Sequence, residues 1–251
     1  MRSTRRNNAG TTSRPEPQDH ATSPRTPRRP ATRTSASPRP DSELTLPQRL
    51  FLIACRLDGG VAGGPHFGLA LNAAALQSLL DQGLVADDNG KVRVTARPAA
   101  PPAGWLEADL LARIADTERA RTWRRWVGSR DRTARGIVRA ELAAQRVVKV
   151  DEGRRLGLFP YHHVTLRRAD ARRSALAARD GALTGPLSDV SRDGAALAVL
   201  AHHGRLPRLA TWSERRAAKS RIGELSPGLG PVPEALRKHV RDRRSSDGSG
   251  G

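Results

Sequence analysis

The expected architecture depends first on GLALNAAALQSLLDQG, residues 68–83. One apolar stripe recurs at helical spacing and consists of Leu69, Ala73, Leu76 and Leu80. Ala75 and Leu79 widen this stripe, so the helix is expected to be buried on most of its surface. Gly83 then supplies a residue that suits the C-terminal end of a helix. A helix that is apolar nearly all round predicts the centre of a helical bundle.

Amphipathic helices are predicted on both sides of this central helix. Upstream, LTLPQRLFLIACRL begins with Thr45 as a capping residue and Pro47 in the first turn. Directly downstream, LVADDNGKVRV places two apolar runs around Asp-Asn-Gly, which predicts a short β-hairpin. Further helices are predicted in WLEADLLARIADTE, RTWRRWVGSR, DRTARGIVRAELAAQR, ADARRSALAARDGAL, SRDGAALAVLAHHGRL, TWSERRAAKSRIGEL and VPEALRKHV. The sequence therefore predicts a mainly α fold of about eight helices with short hairpins.

A second hairpin is predicted in VVKVDEGRRLGLFPYHH, residues 147–163, with its turn at Asp-Glu-Gly. The residues assigned to its two arms are Val148, Val150, Arg154, Arg155, Leu156, Leu158 and Phe159. The two valines share one face of the first arm, and the two leucines share one face of the second. An apolar ribbon with arginines near its turn suits an anionic lipid interface. The alternative is that the apolar face packs on the helices.

The two ends of the chain differ from the core in composition. Residues 1–43 contain no Leu, Ile, Val or Phe and are predicted to be disordered, as are residues 241–251. This leaves one folded domain, residues 44–240. The net charge of the chain is +19, and the N-terminal segment holds nine arginines against four acidic residues, so most of the charge lies on the core. Such a charge predicts a polyanionic partner, namely nucleic acid, an anionic membrane or an acidic protein.

Several classes of function find no support in the sequence. Cys55 is the single cysteine and lies in an apolar run, which predicts a core residue in a reducing compartment. No segment approaches the roughly 18 to 20 apolar residues of a membrane span. The histidines form adjacent pairs that would not converge on one metal ion. Trp123 and Trp126 are expected to pack in the core. No P-loop, dinucleotide or nucleophile motif is present, so we expect neither an enzyme nor a bound cofactor.

Six segments together resemble the Golgi phosphoprotein 3 family in their order and spacing. They are LTLPQRLFLIACRLDGG, LALNAAALQSLLDQGLVADDNGKVRV, LEADLLARI, RTWRRWV, VVKVDEGRRLGLFP and SRDGAALAVLAHHGRL. The match covers the core and neither tail, and the composition is that of a bacterial-type member. The resemblance implies a helical bundle with a central buried helix and a β-hairpin that protrudes.

The resemblance also implies a function. Eukaryotic members are peripheral membrane proteins, not enzymes, that bind phosphatidylinositol 4-phosphate in a basic pocket and insert the hairpin into the lipid. Their paired arginines correspond to Arg132 and Arg135, which lie three residues apart on one helical face. A third arginine of the family corresponds to Asn72, and a loop tryptophan is missing from AGGPHF. About half of the family's pocket is therefore present, and a generic anionic headgroup is compatible with the chain.

The expected protein is cytoplasmic, associates peripherally with an anionic phospholipid surface, and acts as an adaptor for protein partners at the membrane. The alternative is a nucleic-acid-binding protein with basic helices. The chain has one tyrosine and three phenylalanines, and this shortage of aromatic residues disfavours base stacking.

Overall fold

Helix α2 (Phe67–Asp81) lies at the centre of the computed structural model, which describes residues 44–95, 101–155, 159–206 and 212–248. Every residue of α2 from Phe67 to Gln77 is buried. Helices from both halves of the chain pack around it. The prediction of a mainly α bundle with a central buried helix is confirmed.

Eight further α-helices are described, and each overlaps a segment that the sequence predicted to be helical. They are α1 (Leu46–Ala54), α3 (Trp105–Ala115), α4 (Trp123–Val127), α5 (Asp131–Ala144), α6 (Ala169–Thr184), α7 (Arg192–His203), α8 (Trp212–Leu225) and α9 (Val232–Gly248). Among these described helices, none combines the length and the apolar composition that a membrane crossing requires.

Local sequence explains how the first elements begin and end. Thr45 is the N-cap of α1, and its backbone N–H donates to Gln48 Oε1 at 3.0 Å. Strands β1 (Val85–Asp88) and β2 (Lys91–Val94) pair antiparallel across a two-residue turn. Asn89 and Gly90 in that turn both have positive φ, 51° and 79°, which is the backbone that a tight hairpin requires. The predicted first hairpin is therefore confirmed.

The second hairpin is longer than predicted. Strand β3 (Val148–Arg155) pairs antiparallel with β4 (Phe159–Leu166), so the turn predicted at Asp-Glu-Gly is wrong. This register places Val148 opposite Leu166 and Val150 opposite Val164, which gathers these four aliphatic residues at one end of the hairpin. A turn at residues 151–153 would have left the apolar end of β4 unpaired.

The two ends of this hairpin have different surroundings. Val148 and Val164 are 2% and 3% exposed, and Val150 packs against the same core. Val148 therefore anchors the hairpin in the bundle and does not face a membrane. Farther along β3, Asp151 and Gly153 are exposed. Leu156 and Leu158 lie outside the described residues, as do the side chains of Arg154, Arg155 and Phe159.

Helices α2 and α5 approach closely at their N-terminal ends. A Cβ atom at Gly68 of α2 would lie 1.9 Å from the backbone oxygen of Asp131, the first residue of α5. No real Cβ contact is that short, so only glycine permits this approach. The start of α5 is therefore positioned directly by the central helix.

Two carboxylates are buried where α3 meets α5. Glu107 and Glu141 are each 1% exposed, and Glu141 Oε1 accepts a hydrogen bond from the N–H of Trp105 at 3.1 Å. Both carboxylate oxygens of Glu107 are buried without a hydrogen-bond partner in the described structure. Burial is the main cause that raises the pKa of Glu107 to about 7, and the nearby charge of Glu141 makes a smaller contribution in the same direction. Glu107 therefore holds a proton at a pH where an exposed glutamate does not.

The C-terminal boundary of the folded domain also differs from the prediction. Helix α9 continues to Gly248, so the boundary placed at residue 240 is too early. Residues 1–43 and 249–251 lie outside the described residues.

Candidate anion-binding site

Helix α5 carries three arginines, and two of them, Arg135 and Arg139, lie beside the loop between α1 and α2. Arg132 is exposed, whereas Arg135 and Arg139 are partly buried. Their spacing of three and four residues places them along one helical face. Arg139 was not singled out from the sequence, although its position four residues after Arg135 was a signal that could have identified it.

The side chain of Arg135 is held in place by the loop between α1 and α2. Its Nη2 donates to the backbone oxygens of Gly64 at 2.6 Å and Pro65 at 3.1 Å. Its guanidinium carbon lies 5.6 Å from the centroid of the Phe67 ring, a distance typical of a cation–π contact. Its Nε is buried and has no hydrogen-bond partner among the described residues. Arg135 is thus oriented by the protein, with part of its donor capacity unused.

The electrostatic surroundings of Arg135 favour an added negative charge. Burial lowers the pKa of its guanidinium, the Asp131 carboxylate opposes this shift, and the positive charge of Arg243 adds to it. Arg243 Nη1 lies 2.9 Å from Asp131 Oδ2, so this carboxylate is paired with Arg243 and acts on Arg135 only through its charge. Arginine nevertheless stays protonated in proteins. An anion beside Arg135 would therefore offset part of the cost of its burial.

A cavity of about 390 Å³ lies beside Arg135, and we name it the arginine cavity. Its lining includes one arginine from the loop after α1, two arginines from α5, the glycine loop 59–64, and two residues of β4. The charged and titratable members are Arg56, Arg135, Arg139 and His162. Arg56 also binds Asp58 through its Nε at 2.7 Å. Positive charge thus predominates at this cavity.

The glycine loop is docked on the buried end of the hairpin. The N–H of Gly60 donates to Val164 O at 2.8 Å, and Gly59 and Gly60 have φ values of 93° and 82°, which favour glycine. A Cβ atom at Gly63 would lie 2.2 Å from Phe67 Cδ1. In this loop the family resemblance led us to expect a tryptophan, and the packing at Gly63 has no space for a bulky side chain. The arginine cavity and the hairpin therefore form one continuous surface.

Asn72 occupies a different environment from the arginines. It is fully buried, and its Nδ2 donates to the backbone oxygens of Val127 at 3.0 Å and Ser129 at 2.7 Å. Both acceptors lie at the turn that leads into α5. Asn72 therefore holds this turn from the core, and the structure does not bring its amide to the surface with the arginines.

Other residues that the sequence singled out serve packing. Trp123 and Trp126 are 3% and 2% exposed, as expected of core residues, and the Trp123 ring N–H donates to Asp87. Cys55 is buried as expected, and burial raises the pKa of its thiol to about 12. Among the described residues, no group of three histidine, cysteine, aspartate or glutamate side chains is placed to hold a metal ion.

The comparison with protein families agrees with this architecture. The sequence model of Golgi phosphoprotein 3 (GPP34) matches residues 46–243. This range begins at the first residue of α1 and ends within α9, so it includes the arginine cavity and both hairpins. No curated protein sequence matches the chain. Because the match spans most of the chain, the protein belongs to the Golgi phosphoprotein 3 family.

Proposed function

We propose that the protein is a peripheral membrane protein that binds anionic phospholipid headgroups at the arginine cavity. At the membrane it acts as an adaptor for protein partners. The observation that carries the proposal is the convergence of Arg56, Arg135 and Arg139 on one cavity at the base of a hairpin. Family membership supports the same function.

The chemistry of the cavity suits a phosphate group. Guanidinium groups form paired, charge-assisted hydrogen bonds to phosphate oxygens, and these bonds are stronger than those between neutral groups. Arg135 is already oriented by the Gly64 and Pro65 oxygens, so little side-chain entropy is lost when a ligand binds. Arg132 is exposed one turn earlier on α5; it does not line the cavity, and its proposed contribution is attraction through its nearby charge.

The hairpin supplies the apolar part of the proposed attachment. Its anchored end lines the arginine cavity through His162 and Val164, while β3 continues past exposed residues towards Arg155. Arg154, Arg155, Leu156, Leu158 and Phe159 are the residues proposed to meet the lipid. Burial of apolar surface and attraction of arginines to anionic lipid contribute together at such an interface. Docking through the cavity would be followed by shallow insertion of the hairpin.

The test is a flotation assay with vesicles of neutral lipid that contain either phosphatidylserine or phosphatidylinositol 4-phosphate, at physiological salt. Arg132→Ala with Arg135→Ala is compared with Arg28→Ala with Arg29→Ala, a pair of equal charge in the N-terminal segment. We expect the first pair to weaken binding about tenfold more, because headgroup contacts are local whereas distant charges act through a field screened over about 8 Å.

Two further measurements complete the test. Thermal melting followed by circular dichroism establishes whether the pair in α5 remains folded, and Arg139→Gln provides a second variant of the cavity that keeps the Arg135 contacts. Equal losses from the two pairs would show that only total charge matters. Tighter binding to duplex DNA than to either vesicle at the same salt would favour the nucleic-acid alternative instead.

A further inference from the structure

A second cavity, of about 490 Å³, lies between α1 and α6, and we name it the α1–α6 cavity. Its apolar wall includes Ile53 and Ala54 of α1 and Leu176 of α6. Arg172 and Arg179 lie four residues before and three residues after Leu176, so all three share one face of α6. The α1–α6 cavity shares Arg56 and Ala62 with the arginine cavity and is therefore its neighbour across the intervening loop.

Arg172 is the cation in this cavity with the most unused donors. Its Nε donates to the backbone oxygen of Cys55 at 2.9 Å, which satisfies a carbonyl at the end of α1. Within the described part of the chain, its Nη1 and Nη2 make no hydrogen bond and no carboxylate pairs with it. The guanidinium is thus fixed at one nitrogen and presents two others to a ligand.

Arg179 adds a second incompletely satisfied guanidinium. It is 9% exposed, its Nε and Nη2 both donate to Asp180 Oδ1, and its Nη1 is buried without a partner among the described residues. Buried donors without acceptors are uncommon because each carries an unrecovered desolvation cost. Of the two carboxylates that line the cavity, Asp58 binds Arg56 and Asp180 binds Arg179, which leaves the charge of Arg172 uncompensated.

The remaining lining residues suit an amphiphilic ligand better than chemistry at the Cys55 thiol. The Cys55 thiol has a pKa raised to about 12 by burial, even though the Arg172 charge opposes the shift, so it is not a reactive thiolate. At the rim, Leu57 is 76% exposed, and it is one of three large apolar side chains that the described structure exposes in this way. An exposed leucine beside unpaired guanidinium donors matches a phosphate joined to an apolar chain.

We infer that the α1–α6 cavity is a second phosphate site, in which Arg172 binds the headgroup of another anionic phospholipid while Leu57 contacts its glycerol and acyl region. This inference rests on the proposed function and extends it. Two headgroups bound on opposite sides of one loop would hold the protein against a membrane by two attachments, so that the second binds at a high effective concentration. The site is separate from Arg132 and Arg135.

The experiment compares Arg172→Gln with Arg173→Gln in the full chain. The two arginines are adjacent on α6 and their substitutions change the charge equally, but Arg173 is exposed and does not line the cavity. Binding to phosphatidic acid vesicles is measured by flotation, and binding of soluble glycerol 3-phosphate by calorimetry. We expect Arg173→Gln to weaken vesicle binding at most about fivefold, the general effect of one arginine near an anionic surface, and Arg172→Gln to weaken it about tenfold more.

Each outcome distinguishes the second site from the proposed function. Glycerol 3-phosphate binding that is lost in Arg172→Gln and kept in Arg173→Gln supports the second site. This holds even if Arg132→Ala with Arg135→Ala weakens vesicle binding no more than Arg28→Ala with Arg29→Ala does. Equal effects of the two glutamine variants on vesicles and on the soluble ligand would overturn the second site and leave the proposed function standing. Wild-type protein that binds neither ligand would overturn it too. Leu57→Ser should weaken binding to vesicles and leave binding of glycerol 3-phosphate unchanged. An equal loss of both would contradict the proposed contact between Leu57 and the lipid.

Discussion

Replacing Glu107 with glutamine should change how the stability of the protein depends on pH. In the folded protein Glu107 is 1% exposed and its pKa is raised to about 7, whereas in the unfolded chain it returns to its ordinary value of 4.5. Between these two values the folded state holds a proton that the unfolded state has released. Stability from this group is therefore fully present below about pH 4.5, falls as the pH rises, and is lost above about pH 7.

The size of the effect follows from the two pKa values. A difference from 4.5 to about 7, at about 1.4 kcal/mol per pH unit, amounts to about 3 kcal/mol of unfolding free energy. Glu107→Gln keeps the shape of the side chain and removes the titration. We therefore expect the unfolding free energy of the wild type to fall by about 3 kcal/mol more than that of the variant between pH 4.5 and pH 7.5.

The assay is urea unfolding at several pH values across that interval. Other carboxylates titrate in both proteins, so the quantity that matters is the difference between the two pH profiles. Glu118→Gln, at an exposed glutamate, is the matched control and should follow the wild type. Parallel profiles for the wild type and Glu107→Gln would contradict this prediction, because they would show that Glu107 is ionised in the folded protein.

Three further predictions concern the scaffold and the hairpin. Gly68→Ala should destabilise the protein by about 1 to 3 kcal/mol in urea unfolding, because the new Cβ would lie 1.9 Å from a backbone oxygen. The control Gly136→Ala, which has open space on α5, should stabilise the protein by about 0.5 to 1 kcal/mol. Similar changes in unfolding free energy for the two variants would contradict the close approach of α2 and α5. Leu156→Asp with Leu158→Asp should abolish flotation with an unchanged thermal melt, because carboxylates are repelled by anionic lipid, and a lowered melt would show instead that these residues pack on the bundle. Deleting residues 1–43 should shift the melting temperature by no more than about 4 °C, and a larger drop would show that this segment packs on the domain.

Periodicity and turn chemistry allowed much of the fold to be predicted. The apolar positions of α2 repeat at helical spacing over four turns, and Asn89-Gly90 has the backbone freedom of a tight turn. Both signals are local, so neighbouring residues in the chain are enough to decide them. The same approach failed for the longer hairpin because Asp-Glu-Gly is an acceptable turn locally. Only the pairing of Val148 with Leu166, eighteen positions later, decides the register.

The candidate site depended more heavily on contacts distant in sequence. Arg135 could be proposed from its spacing, but its contact with the Gly64 oxygen joins positions 71 residues apart. The role of Asn72, which donates to Ser129 57 positions later, has no signature in the local sequence. The buried pair Glu107 and Glu141 is equally hidden, because each sequence around a glutamate is that of an ordinary amphipathic helix. These features arise only when separate helices meet.

The length of β4 beyond the arginine cavity sets how deep the protein could enter a bilayer. His162 lines the cavity and Phe159 begins the strand, three positions away, which is about 10 Å of extended chain. A single leaflet contributes about 15 Å of the hydrocarbon thickness. With a phosphate held in the cavity, the end of the strand would stop within the leaflet that supplies that phosphate. The length of the hairpin would then limit how far it enters the bilayer, and two more residues in each strand would carry its end about 7 Å deeper.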